Sequence, residues 1–198
     1  MNTEWPKALI TWFEKSKRQM PWREVATPYR ILVSEVMLQQ TQVVTVIPYF
    51  HRFMHAFPTL ADLAAAPEEQ VLKLWEGLGY YSRARHLHAC AKAIVAMGGV
   101  IPSEFDELRK LPGIGDYTAA AVASMGFGQK VAVVDGNVLR VRARMLKEET
   151  PVDTSALKKR YFQELTDIIL SVDSPWDRKE SDVTERLNKD CCGIFPLP

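Results

Sequence analysis

The stretch Leu111-Pro112-Gly113-Ile114-Gly115 lies between a predicted helix that ends near Lys110 and another that begins near Asp116. Its two glycines allow a tight turn and a close approach of the backbone to another molecule. The first N–H groups of the second helix have no partner within it and lie at the positive end of its dipole, where a phosphate binds readily. A Gly-x-Gly between helices is also typical of a plain hairpin, so the motif alone leaves both interpretations open.

The sequence on both sides of this hairpin has helical patterns almost throughout. Thr27-Pro28 predicts an N-cap followed by proline at the first helical position, and the apolar residues from Tyr29 to Gln42 indicate a buried helix. Three further helices are predicted, from Pro67 to Trp75, from Tyr80 to Met97 with Gly98-Gly99 at its end, and from Asp153-Thr154-Ser155 to Leu170. Only Val131 to Val134 is strand-like, and one strand cannot form a sheet. The predicted fold class is therefore all-α.

Composition excludes several classes of protein. The 198 residues are 47% hydrophobic and 25% charged, which is typical of a globular chain and argues against extensive disorder. No apolar run approaches the roughly 18 residues of a membrane span, and the N-terminus lacks the pattern of a secretory signal. Three cysteines give no disulfide framework, which favours a reducing compartment. The net charge of +1 gives no overall attraction to nucleic acid, so a DNA-binding function requires a local patch.

Two acidic residues are candidates for catalysis. Asp135-Gly136-Asn137 follows the apolar run directly; Asp-Gly is a routine turn signal, but an apolar run that ends in a carboxylate also places that carboxylate at the edge of a cleft. Glu35 lies in the apolar stretch from Ile31 to Leu38. A glutamate on a helix is usually solvated, yet this helix has little room for a solvent face. Partial burial raises a carboxyl pKa and keeps the group protonated as a general acid.

Five motifs in a shared order resemble those of the helix-hairpin-helix DNA glycosylases, and most closely those of the adenine DNA glycosylases of the MutY type. The motifs are Pro21-Trp22-Arg23, Ser34-Glu35-Val36-Met37-Leu38-Gln39-Gln40-Thr41-Gln42, Gly77-Leu78-Gly79-Tyr80-Tyr81-Ser82-Arg83-Ala84-Arg85, Leu111-Pro112-Gly113-Ile114-Gly115 and Val134-Asp135-Gly136-Asn137-Val138. The likeness runs from about residue 5 to about residue 150, and the nine residues around Glu35 are its most specific part.

The resemblance implies an enzyme of base-excision repair. Such a protein removes adenine mispaired with 8-oxoguanine or guanine from double-stranded DNA after flipping the nucleotide out of the helix. By match, Glu35 protonates adenine N7 and Asp135, ionised, stabilises the oxocarbenium-like sugar or bonds to it transiently. Asn137 and Tyr117 orient Asp135 and the intermediate. In the endonuclease III branch a lysine at the position of Tyr117 forms a Schiff base with the sugar; tyrosine cannot, so the resemblance implies a monofunctional enzyme.

The same resemblance assigns further residues to substrate and DNA. Arg18, Trp22 and Arg23 are similar to residues in the wall of the adenine pocket, and Leu38 to the residue that packs beneath the base. Gln40 and Tyr80 are similar to the residues that enter the base stack. Contacts to the DNA backbone are implied for Gly113, Gly115, Arg83 and Arg85, with Arg140 and Arg144 as an additional pair. A solvated helix face is the alternative for each arginine pair, and core packing is the alternative for Tyr80.

The resemblance also implies two helical subdomains that flank a cleft. The expected division is a helical barrel with the hairpin over residues 24–128, a second subdomain from residues 1–23 with 129–172, and a divergent tail over 173–198. The expected enzyme is a cytoplasmic, nucleoid-associated bacterial monomer.

The sequence departs from the family pattern toward its C-terminus. Family members usually carry a [4Fe–4S] cluster on four cysteines with the spacing Cys-x6-Cys-x2-Cys-x5-Cys. Cys90 lies far upstream in a helix and Cys191-Cys192 are neighbours, so we predict neither a cluster nor another metal. We also expect no counterpart, in these 198 residues, of the C-terminal domain that reads 8-oxoguanine in the family. Two alternatives remain open: a catalytically impaired DNA-binding fragment, and an endonuclease III-like glycosylase for pyrimidine lesions, which Tyr117 disfavours.

Overall fold

The computed structural model describes residues 4–152 and 154–172, and all regular elements within these ranges are helical, which confirms the all-α class. In chain order the helices are α1 Glu4–Ser16, α2 Pro21–Glu24, α3 Pro28–Leu38, α4 Val43–Ala56, α5 Leu60–Ala65, α6 Glu68–Trp75, α7 Ser82–Ala96, α8 Phe105–Leu108, α9 Asp116–Ala121, α10 Gly136–Leu146 and α11 Ser155–Ser171. A π-helical turn, Val122–Gly126, continues α9.

Helix α3 is the centre of the fold. The Thr27 hydroxyl accepts a hydrogen bond from the N–H of Arg30, Pro28 occupies the first turn, and nine of the eleven helical residues are buried. The helix packs against α4, α7, α9 and the π-helical turn. It ends at Leu38, so the prediction of a helix as far as Gln42 was too long. The backbone leaves the helical conformation at Gln39, which has a ψ of 112°, and the left-handed Gln40, with a φ of 57°, cannot resume a right-handed helix.

The other predicted elements follow the sequence signals more closely. Helices α6, α7 and α11 are within two residues of their predicted bounds at each end, and the Thr154 hydroxyl caps α11 as expected. The run from Val131 to Val134 is irregular in the structure, and the N–H of Ala132 donates to Thr166 Oγ1 of α11 at 3.1 Å. Asp135 starts a helix directly, so the turn predicted from Asp-Gly is an N-cap instead.

Two clusters of buried apolar side chains hold these helices together. The larger one extends from Met20 to Phe127 and has Trp75, Phe50 and Phe53 among its fully buried members. The smaller one joins α10 to α11 and consists of Leu139, Ala143, Leu157 and Tyr161. Met20 and Trp22, which the predicted boundary assigns to the second subdomain, pack in the larger cluster. The division into two subdomains and its boundaries stay a prediction.

None of the helices within residues 4–152 and 154–172 has both the length and the apolar character that a membrane span requires.

The hairpin between α8 and α9 depends on Gly113. Its φ of 73° is left-handed, and a Cβ atom there would lie 2.4 Å from the Cβ of His86 on α7. We expect Gly113→Ala to lower the free energy of unfolding by about 2 kcal/mol or more, because the left-handed backbone costs about 1–2 kcal/mol for alanine and the overlap adds to it. Urea denaturation measures the loss.

Gly115→Ala is the matched control for this prediction. Gly115 has a φ of −91°, and a Cβ atom there would meet no other part of the chain within 4 Å. Its substitution is expected to cost only about 1 kcal/mol, from a weaker N-cap of α9. Equal losses for the two variants would show that the left-handed turn and the contact with His86 do not matter.

Candidate active site

Glu35 is the buried acid that the sequence predicts. It lies on α3 with 5% of its surface exposed, and among the described residues its Oε2 atom has no hydrogen-bond partner. Burial is the main cause that raises the pKa of Glu35 above its usual value, because ionisation inside an apolar helix bundle loses solvation. A carboxyl group with an unbonded oxygen and a raised pKa is suited to donate a proton to a bound molecule.

Two other elements bring polar groups to Glu35. Tyr117, the second residue of α9, forms a side-chain hydrogen bond with Glu35, and this bond opposes the effect of burial on the Glu35 pKa. The positive charge of Arg23 also lowers that pKa, whereas the negative charge of Asp135 raises it. Burial in turn raises the pKa of the Tyr117 phenol, and the charges of Glu35 and Asp135 contribute to the rise. Helix α3, the hairpin and the start of α10 therefore converge on one site.

The carboxylate of Asp135 is fixed by the helix that it caps. Its Oδ1 accepts from the N–H of Val138 at 2.7 Å, and its Oδ2 accepts from Asn137 Nδ2 at 2.8 Å. Arg140 Nη2 donates to Asn137 Oδ1 in turn. These hydrogen bonds fix the orientation of the Asp135 side chain, whose charge in turn acts on the buried Glu35.

The link between Tyr117 and Glu35 predicts the effect of removing the phenol. We expect Tyr117→Phe to raise the pKa of Glu35 further, because the hydrogen bond that favours its ionised form is lost. NMR titration of side-chain-labelled glutamate measures this shift. Tyr81→Phe, an exposed tyrosine of another loop, is the control and should leave the Glu35 pKa unchanged. A downward shift in Tyr117→Phe would contradict the assigned contact.

The residues predicted to form the adenine pocket are in different environments. Arg23 acts on Glu35, as described, and its guanidinium lies 5.6 Å from the centre of the Phe13 ring. Arg18 is exposed and Leu38 is half-buried against the larger core. Trp22 is only 3% exposed and packs edge-on against Phe50 with ring centres 5.3 Å apart, so it supports this region from within the core. Contact of these side chains with a base stays a prediction.

The two residues predicted to enter the base stack are both exposed. Tyr80 has 62% of its surface accessible, which rules out core packing for its side chain in this structure. Gln40 is exposed in the loop between α3 and α4. Both residues have left-handed backbones, with φ values of 57° for Gln40 and 48° for Tyr80. Their insertion into DNA stays a prediction.

Arg83, a predicted contact to the DNA backbone, is buried within the protein in this structure. It is 7% exposed, and its guanidinium donates to protein groups rather than facing solvent. The physical reason is its place on α7, where the spacing to Leu87 and Ile94 puts it on the buried face. The same spacing can be read from the sequence and would have predicted that Arg83 is buried. Arg85 is exposed and forms an ion pair with Glu68 at 3.1 Å.

Neither the cavity beside α1 nor Cys90 adds a group to the site. A cavity of about 980 Å³ between α1, the π-helical turn and α11 is lined by Arg18 and Arg23, but not by Glu35 or Asp135. Within the described ranges, no three His, Cys, Asp or Glu side chains group as metal ligands. Cys90 is fully buried, and burial raises its pKa to about 12, so it does not fit a thiolate ligand of a cluster. Cys191 and Cys192 lie outside the described residues.

Comparison with known proteins gives consistent matches. A family model described as an HhH-GPD superfamily base excision DNA repair protein matches residues 33–167. The chain is 48% identical to an adenine DNA glycosylase of Rattus norvegicus over 72% of its own length and 30% of the relative's. It is 41% identical to an adenine DNA glycosylase of Buchnera aphidicola over 70% of its own length and 40% of the relative's. It therefore spans less than half of each relative.

The structure is similar to that of a thermostable thymine-DNA glycosylase. The TM-score is 0.76 at 26% sequence identity, with 98% of this chain and 87% of the other covered.

Proposed function

The chain belongs to the HhH-GPD superfamily of base excision DNA repair proteins, and from this premise we propose that it is a monofunctional DNA glycosylase that removes adenine mispaired with 8-oxoguanine or guanine from double-stranded DNA. One observation carries the proposal: Glu35 is buried, its Oε2 has no hydrogen-bond partner within the described part of the chain, and the charge of the helix-capping Asp135 acts on it. Cleavage of an N-glycosidic bond needs such a pair in opposite protonation states. The adenine glycosylases among its relatives support adenine as the base.

In the proposed first step Glu35 is the general acid. Its Oε2 donates a proton to N7 of the flipped adenine, and the C1′–N9 bond breaks with its electron pair going to the base. The raised pKa of Glu35 keeps the proton available at a pH where an exposed glutamate would be ionised. Neutral adenine leaves, and the positive charge develops on the sugar.

In the second step Asp135 stabilises that charge. Its carboxylate either faces the oxocarbenium-like sugar or bonds to C1′ transiently before water adds there and releases a proton. The hydrogen bonds from Val138 and Asn137 hold the carboxylate in one orientation, so little reorganisation is needed during reaction. With Tyr117 at the position where the endonuclease III branch has a lysine, the sugar forms no Schiff base and the abasic strand stays intact.

DNA binding is proposed to use the exposed loops of the same face. Gln40 and Tyr80 fill the opened duplex, and the N–H groups around Gly113 and Gly115 hold a phosphate. Arg85 and Arg144 remain exposed for backbone contacts. We propose that the protein acts as a monomer at the nucleoid of a bacterial cytoplasm.

We propose further that the protein works without an iron–sulfur cluster, since Cys90 is unsuited to be a ligand. Metal analysis of the purified full chain tests this proposal. An absorbance band near 400 nm that follows the iron content would overturn it.

The test of the proposed function is adenine release under single-turnover conditions. Duplexes with 8-oxoguanine:adenine and guanine:adenine are the substrates, and guanine:thymine is the comparison that the likeness to a thymine-DNA glycosylase suggests. Release of adenine without strand cleavage supports the proposal. Release of thymine alone supports a pyrimidine glycosylase instead. Tight duplex binding with no base release supports the impaired DNA-binding fragment.

A further inference from the structure

Two neighbouring loops carry strained residues that the chemistry of base removal does not explain. The loop after α3 has Gln40 in a left-handed conformation, and the loop before α7 has Tyr80 in the same conformation. Neither residue is glycine, for which this conformation has no steric cost. Non-glycine residues persist there only where the surroundings hold them, and such strain is concentrated at functional sites.

The guanidinium of Arg83 bonds to both loops at once. Its Nη1 donates to the carbonyl oxygens of Val36, Met37 and Gln39, which form the end of α3 and the start of the first loop. Its Nη2 donates to Thr41 Oγ1 and to the carbonyl oxygens of Leu78 and Gly79, which join the first loop to the second. Gln40 and Tyr80 each follow directly a residue whose carbonyl accepts from this group.

Only arginine has the geometry for this arrangement. All six acceptors are uncharged, and the guanidinium is buried among them, so its charge is balanced by oriented carbonyl dipoles rather than by a carboxylate. Its planar fork presents two nitrogens in fixed directions: Nη1 faces the end of α3 and the first loop, and Nη2 lies between the first loop and the second. A lysine would keep the charge but present a single nitrogen with three donors, which cannot reach the acceptors around both positions.

Aromatic rings also contact Arg83, and we call the Arg83 guanidinium with its six acceptors the clamp. The Arg83 guanidinium carbon lies 5.5 Å from the ring centre of Trp75 and 5.5 Å from that of Tyr80. The Trp75 indole N–H donates to the carbonyl of Gly79 at 3.2 Å, the same oxygen that Arg83 uses. The second loop is therefore fixed from two sides, and the Tyr80 ring is held beside the cation.

We propose that Arg83 is a positioning residue for DNA opening, which locks the two loops together so that Gln40 and Tyr80 meet the duplex as one rigid wedge. The proposal rests on the proposed function and goes beyond it, because it assigns the opening step to a residue that contacts neither the base nor the phosphates. A wedge that is already ordered needs no further loss of conformational freedom when it enters the base stack.

Arg83→Lys tests this proposal. The probe is a duplex in which 2-aminopurine neighbours a non-hydrolysable 2′-fluoro-adenosine opposite 8-oxoguanine, and its fluorescence reports opening. With this duplex we expect a smaller fluorescence rise and an affinity changed by less than about threefold. With the hydrolysable 8-oxoguanine:adenine duplex we expect single-turnover adenine release to be slower by about 10- to 100-fold. Arg160→Lys, a surface arginine of α11, is the matched control and should behave as the native protein.

Thr41→Val is the milder variant, since it removes one acceptor of Arg83 and leaves the other five. We expect it to fold as the native protein does and to lower the opening signal in the same direction. Hydrogen exchange adds a readout that does not depend on DNA: both variants should exchange faster at residues 39–42 and 77–81 together.

The outcomes separate the two proposals. Native opening in both variants, or faster exchange in neither loop, overturns the role of Arg83. Suppose that the variants exchange faster in both loops but the native protein neither opens the probe nor releases adenine. That result supports the role of Arg83 in joining the loops and overturns the glycosylase function. A uniform rise in exchange over α3, α4 and α7 would mean that Arg83 serves global stability only.

Discussion

Glu35→Gln is expected to slow the release of adenine from an 8-oxoguanine:adenine duplex by about 10²- to 10⁴-fold, the range that general acid catalysis contributes. Glutamine has the shape of glutamic acid but no proton to donate to N7. The side chain is buried and its Oε2 has no partner among the described residues, so the amide is accommodated with little rearrangement. Binding of the duplex should therefore change little, and single-turnover kinetics with a separate binding titration distinguish the two effects.

The same substitution has a predicted effect on stability, with a defined sign. Burial raises the pKa of Glu35 in the folded protein, so the folded state holds its proton more tightly than the unfolded chain does. The favourable contribution of the protonated group is complete below the unfolded pKa and is lost as the pH rises through the folded pKa. Glu35→Gln should accordingly be more stable than the native protein at alkaline pH, with a smaller difference in acid.

Glu69→Gln is the control for both effects, because Glu69 is exposed on α6. Glu69→Gln should release adenine at the native rate, and its free energy of unfolding should depend on pH as that of the native protein does. Native rates in Glu35→Gln would show that another group protonates the base. A native pH dependence of its stability would show that the acid is not buried in solution.

The sequence predicted the features that arise from local pattern. The N-cap at Thr27, the hairpin glycines and the burial of Glu35 follow from residue types within a few positions of each other. An apolar helix leaves its one acidic residue little access to solvent, and this holds however the rest of the chain folds. Such expectations need no knowledge of distant contacts.

The errors arose where a distant residue decides the local structure. The carbonyl oxygens of Met37, at the end of α3, and of Gln39, before the left-handed Gln40, accept hydrogen bonds from a guanidinium more than 40 positions away. The family resemblance implied a DNA contact for Arg83, whereas its helical spacing places it among buried residues. The run from Val131 to Val134 has strand propensity but no partner strand in the described ranges, so its backbone bonds elsewhere.

Asp135→Asn is expected to slow adenine release by about 10²- to 10³-fold, because a neutral amide cannot stabilise the positive charge that develops on the sugar. The design of this variant depends on the second role of Asp135 as the N-cap of α10. Asparagine caps helices about as well as aspartate, so Asp135→Asn should keep the free energy of unfolding close to native. Asp135→Ala loses both functions and should cost about 1 kcal/mol in addition to the activity.

Comparison of these two variants separates chemistry from folding. Single-turnover rates and urea denaturation are measured on the same preparations, with Asp106→Asn, an exposed aspartate of α8, as the control that should change neither. Equal losses of activity with unequal losses of stability would assign the carboxylate to the reaction itself. If Asp135→Asn released adenine at the native rate while Asp135→Ala did not, Asp135 would matter only as the residue that begins α10, and the negative charge beside the sugar would have to come from another group.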